Sequence, residues 1–89
     1  MEVKEAVATA KNYIADLFAQ EQVSDLGLEE VEYDEPAAEW LVTLGFSRPW
    51  DRIAGFGIMP GPQLRRAYKV VRVSDKTGHV ASVKNRDIN

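Results

Sequence analysis

The sequence predicts an α+β fold, with an N-terminal helix packed on one face of a four-stranded antiparallel meander in the order α-β-β-β-β. Three observations lead there. Apolar residues recur every three or four positions near the N-terminus, at Val3, Val7, Ala10, Ile14 and Leu17, which is the stripe of an amphipathic helix. Trp40, Val42, Leu44 and Phe46 alternate at period two instead, so all four lie on one face of a strand. The run Asp75-Lys76-Thr77-Gly78 then has the composition of a hairpin turn between two further strands. One helix followed by sequential strands closes most simply as a two-layer sandwich.

The helix is expected over residues 3–22, its stripe widened by Ala6, Tyr13 and Phe18, with Lys4, Lys11, Asp16 and Gln20 on the solvated side. Glu2 and Glu5 suit the positive end of its dipole, and Ser24-Asp25 followed by Gly27 supplies a stop. The first strand spans Leu26 to Tyr33, and Asp34-Glu35-Pro36-Ala37 forms the turn after it. Its acid density protects an exposed edge from pairing with other chains. Glu29, Glu30, Glu32, Asp34 and Glu35 do not make a calcium loop, since that needs a tight, glycine-containing ligand spacing and Pro36 interrupts this one. Strand two covers residues 38–47. In strand three, Arg66 to Ser74, Lys69, Val71 and Val73 alternate with Tyr68, Val70 and Arg72, so one face meets the helix and the other stays open. His79 to Lys84 forms the returning strand, and the tail from Asn85 to Asn89 is expected to fray.

With 89 residues, the chain is read as a single domain over residues 1–89, of a size that buries only about 60% of its unfolded surface. It contains no cysteine, which removes disulfides, thiolate metal sites and thiol nucleophiles together. The start lacks a basic segment followed by an apolar run, and no stretch approaches the ~20 apolar residues of a membrane span. A soluble cytoplasmic protein is the expectation. The net charge of −3 is unevenly distributed: eleven acidic and two basic residues precede Leu41, while three acidic and nine basic residues follow from it onward. Neighbouring strands of opposite charge account for this asymmetry, as do two faces for two partners. The overall acidity argues against nucleic acid as a partner.

Residues 47–65 form a connection far longer than a hairpin loop, and loops of that length carry function or stay disordered. The expected partner-binding residues there are Arg48, Trp50, Asp51, Arg52 and Phe56, an aromatic and arginine composition that dominates interface energetics. The alternative is that Trp50 folds back over the sheet edge and caps the core, with Asp51 paired to Arg48 or Arg52. Gly55-Phe56-Gly57-Ile58-Met59-Pro60-Gly61 is no nucleotide fingerprint, because its third glycine is one position late and a strand follows it rather than a helix. Arg65, Arg66, Lys69 and Arg72, with Tyr68 among them, form the best candidate for an anionic or single-stranded nucleic-acid surface. Alternation puts Lys69 on the other face, so the patch is small, and the competing reading is a solvated strand face that pairs with the acidic first strand. His79 has no neighbouring nucleophile or second ligand, and Ser47, Ser74 and Ser82 stand in no activated-serine motif. The expected function is therefore non-catalytic, without cofactor or metal: a binding or regulatory module for a protein or peptide, as monomer or homodimer. The competing expectation is a structural domain that dimerises through its sheet.

The segment Tyr68-Lys69-Val70-Val71-Arg72-Val73-Ser74-Asp75-Lys76-Thr77-Gly78-His79-Val80 resembles the ending of PepSY domains, a strand of the Tyr-x-Val kind followed by an Asp-x-x-Thr-Gly turn and a last strand. The order of elements is similar as well, which would make the chain PepSY-like within the broader cystatin-like group. Gly45-Phe46-Ser47-Arg48-Pro49-Trp50-Asp51 also resembles a motif of small bacterial proteins without an assigned activity. The PepSY resemblance implies binding rather than catalysis, since such domains occur in protease propeptides and in modules that restrain or sense peptidases. The chain is expected to depart from that pattern, with no export signal, attached protease or membrane segment read in these residues, and it does not contain the Gln-x-Val-x-Gly loop of true cystatins.

Overall fold

The computed structural model describes residues 1–49 and 66–86. Helix α1 spans Val3–Leu17 and a short 3₁₀ turn spans Ala19–Glu21; the strands are β1 (Ser24–Asp34), β2 (Glu39–Ser47), β3 (Ala67–Ser74) and β4 (Val80–Asn85). They form one antiparallel sheet in the order β1-β2-β3-β4 with α1 across one face, which is the α+β architecture expected.

At the N-terminus of α1 the Glu5 carboxylate accepts a hydrogen bond from the Glu2 backbone N–H at 3.1 Å, satisfying one of the donors that a helix start leaves open. The helix stops five residues before its expected end. Gln22 adopts φ 54° in the left-handed region, and Ser24, Asp25 and Gly27 belong to β1 rather than to a stop signal.

The face of α1 that meets the sheet is narrower than its apolar stripe. Ala6, Ala10 and Ile14 are fully buried against Val42, Leu44, Phe46, Val71 and Val73, whereas Val3, Tyr13 and Leu17 are 41%, 43% and 54% exposed. Two alanines in the contact let the helix backbone approach closely, so larger residues on its flanks are held away from the core. The β2–β3 register pairs Trp40 with Val73, Val42 with Val71, Leu44 with Lys69 and Phe46 with Ala67, which places all of these on the covered face. Lys69 thus lies on the apolar side. It snorkels to the rim, where its ammonium bonds the Asn85 amide oxygen and sits 5.5 Å from the Phe18 ring centroid.

Strand β1 carries two irregularities. Asp25 has φ 56°, and the register slips between Leu28, opposite Leu44, and Glu30, opposite Thr43. Glu29 is therefore the extra residue of a bulge, and both Glu29 and Glu30 serve the face away from α1. At the far end of the sheet, the Asp75 backbone N–H donates to the Ala38 carbonyl at 2.9 Å, tying the β1–β2 and β3–β4 turns together. Gly78 takes the positive φ, 75°, expected of it. The C-terminal strand is shifted by one residue from the expected His79 to Lys84: β4 includes Asn85, placed in the fraying tail by the sequence, and the Arg86 N–H still donates to the Tyr68 carbonyl at 3.0 Å.

Candidate functional site

The sheet face away from α1 is a charged trough rather than an open plane. Thr43, with 4% of its surface accessible, and the neighbouring Gly45 are buried on it, although alternation alone would have left them facing water. The reason is a set of long side chains that close over β2. Arg86, just beyond β4, reaches across to Glu30 on β1 with Nη1 to Oε1 at 2.7 Å. Arg72 bridges Glu39 at 3.1 Å and Asp34 at 3.5 Å. Arg66 donates to the Asp25 carbonyl at 2.9 Å and stands 3.8 Å from the Glu29 carboxylate. The basic third strand and acidic first strand therefore pair across the sheet, as their charges suggest, and they do so over the open face.

Gly45 makes this arrangement fit. A Cβ there would lie 3.0 Å from Tyr68 Cε1, 3.0 Å from Glu29 Oε2 and 3.1 Å from Arg66 Nη2, so the absent side chain is the space into which these groups settle. Tyr68 lies against the Gly45 backbone between the Arg66–Glu29 and Arg86–Glu30 pairs, and its hydroxyl has no hydrogen-bond partner among the described residues. Two depressions meet at this ring. One, of about 390 Å³, is lined by Glu29, Glu30, Tyr68 and Arg86. The other, of about 470 Å³, is lined by Arg48, Arg66, Ala67, Tyr68, Lys69, Asn85 and Arg86.

Of the residues expected to bind a partner, Arg48 lies at this second depression, with its guanidinium 5.7 Å above the Phe46 ring and 3.8 Å from the Glu21 carboxylate. Trp50, Asp51, Arg52 and Phe56 lie outside the described residues, as does most of the 47–65 connection. The structure adds Gly45, Glu29, Glu30 and Arg86 to the site. Arg86 stood in a segment expected to fray, and only the continued alternation of β4 through Lys84 and Asn85 could have pointed to it. Ser47, at the foot of the trough, is fully buried with a hydroxyl that has no hydrogen-bond partner. Among the described residues no cluster of His, Asp and Glu suits a metal ion, no helix is long and apolar enough to cross a membrane, and His79 is exposed on its turn.

A second polar cluster fixes the opposite end of the sheet. The Asp75 carboxylate accepts hydrogen bonds from the Trp40 indole N–H at 3.3 Å and the Tyr33 hydroxyl at 3.4 Å, and the Met1 amino group is 3.3 Å away. The Tyr33 and Trp40 rings are 4.9 Å apart. The Trp40 bond first, then the Met1 amino group, holds the Asp75 carboxyl below its ordinary pKa of 3.8, against a smaller opposing effect of burial. Burial, followed by the Asp75 charge, pushes the Tyr33 hydroxyl above its ordinary 10.0. A depressed carboxyl contributes stability above its unfolded pKa that is lost as pH falls through the folded one; a raised tyrosine contributes below its unfolded pKa and loses this as pH rises through the folded one. Asp75→Asn is therefore expected to melt below wild type near neutral pH. The gap should close below the ordinary carboxyl value of 3.8, and a gap of constant size in thermal melts down to about pH 3 would show that the carboxylate charge is not its source.

No protein-family model matches the chain, and no curated protein or solved structure matches it either.

Proposed function

We propose that this chain is a small non-catalytic binding or regulatory module that recognises a protein or peptide through the trough on its open sheet face, together with the 47–65 segment that leaves the sheet beside it. The observation that carries the reading is Tyr68, laid against Gly45 with its hydroxyl unpartnered at the junction of two depressions. An aromatic ring with one wet polar tip, flanked by arginines, is the residue set that anchors interfaces. The PepSY resemblance of Tyr68 to Val80 supports recognition of a peptide or peptidase in the same region.

Dimerisation through the sheet, the competing reading, would place the Arg72 and Arg86 ion pairs against their own copies, where each charge meets either its like or a desolvated partner. Panning a random peptide display library against the wild-type chain tests the proposal. Selected peptides are expected to bind Tyr68→Ala and Trp50→Ala at least about tenfold more weakly in fluorescence polarisation, the size of one good anchor, while circular dichroism shows both variants folded. Failure to enrich any peptide, or equal affinity for wild type and both variants, would overturn it. A concentration-dependent dimer in sedimentation, abolished by Arg72→Glu, would favour self-association instead.

A further inference from the structure

Resting on that reading and narrowing it, we infer that the basic depression beside Tyr68 receives an acidic side chain of the peptide partner. Among the described residues, the depression of about 470 Å³ is lined by the cations Arg48, Arg66, Lys69 and Arg86 with Tyr68, and by no acidic side chain, although the chain as a whole carries a net charge of −3. A local excess of cations in an acidic protein selects for an anionic group.

The donors are poised for it. Glu29 stands 3.8 Å from the Arg66 guanidinium, beyond hydrogen-bonding distance, and the Asp25 carbonyl occupies one of the Arg66 N–H groups. The fork of donors that matches a carboxylate is therefore incompletely used. Arg86 and Glu30, though close at 2.7 Å, are 39% and 53% exposed, and an ion pair of that exposure is weak enough to exchange partners. The Tyr68 hydroxyl adds a neutral donor between them.

The neighbouring depression decides between classes of anion. It shares Tyr68 and Arg86 but is walled by Glu29 and Glu30. A nucleic-acid strand would carry its continuous run of phosphates past these carboxylates, whereas a peptide can seat one carboxylate on the basic side and a neutral or basic residue beside Glu29 and Glu30. The occupant is thus a peptide with an isolated Asp or Glu rather than a polyanion.

The library selection described above reads this directly. Peptides enriched on the wild-type chain should share an Asp or Glu at one fixed position, and exchanging it for Asn or Gln should weaken binding at least about tenfold. Arg86→Gln should lose a comparable factor and Tyr68→Phe, which removes only the hydroxyl, a smaller one, with both variants unchanged in circular dichroism. Enriched peptides without a common acidic position, or with an acidic residue whose amide binds equally well, would overturn this inference while leaving the peptide-binding function intact; no enrichment at all removes both. Oligothymidylate or inorganic phosphate displacing a selected peptide at concentrations near the peptide's own affinity would identify a general anion site and overturn it as well.

Discussion

Truncating Phe46 to alanine is expected to destabilise the chain by about 3–5 kcal/mol, the largest single effect we foresee. Phe46 is fully buried at the end of β2, tilted against Phe18 with ring centroids 5.4 Å apart, and covered on its rim by the Arg48 guanidinium. Its removal leaves a cavity at the one place where the end of α1, the 3₁₀ turn and the sheet converge, and the sheet backbone that frames it cannot collapse inward. A domain of this size has a total stability of roughly 5–15 kcal/mol, so the variant should lose about 15–30 °C of Tm. Phe46→Leu, which keeps much of the volume, should recover a large part of the loss. Near-wild-type melting of Phe46→Ala would mean that the ring is not part of the cooperative core. The same substitution also loosens the contact beneath Arg48, so binding by the candidate site should be compared only below the midpoint of the variant.

The sheet was legible because its signal is geometric and local. Trp40, Val42, Leu44 and Phe46 can share a face only as a strand, and the β2–β3 register confirms that all four look toward α1. The length of α1 was less legible. Leu17 and Phe18 continue the helical stripe, but Leu17 is 54% exposed and the chain turns through a left-handed Gln22 with no glycine to announce it. Arg48, Arg66 and Tyr68 stood out by composition. What joins them into a site did not, for two physical reasons. The bulge that turns both Glu29 and Glu30 to the open face breaks the alternation on which strand reading relies. The bond from Arg86 to Glu30 spans the sheet between residues 56 positions apart, a closeness that depends on how the sheet curves rather than on any local pattern. Gly45 illustrates the same limit: inside a strand it reads as a weak point, yet it is the seat of Tyr68, Glu29 and Arg66.

The contact between helix and sheet leads to the second large effect. Ala10 is fully buried in the middle of the line Ala6, Ala10 and Ile14, and the rest of the core is built from aliphatic and aromatic side chains of β2 and β3 that leave only a methyl group's width beneath the helix. Ala10→Leu adds three carbons to that gap. It lowers helix propensity only slightly and adds apolar area, so an account from hydrophobicity alone would expect a gain. Close packing gives the opposite sign: α1 must lift or Val42, Leu44 and Val71 must leave their rotamers, at a cost of about 1–3 kcal/mol. The variant should melt about 5–20 °C below wild type. Ala15→Leu, on the exposed part of the same helix, makes the identical chemical change and should stay within about 0.5 kcal/mol of wild type. Thermal denaturation of the pair separates the two accounts, since equal melting of both variants would show that α1 is free to ride over the sheet and that its alanine line does not set the spacing of the layers.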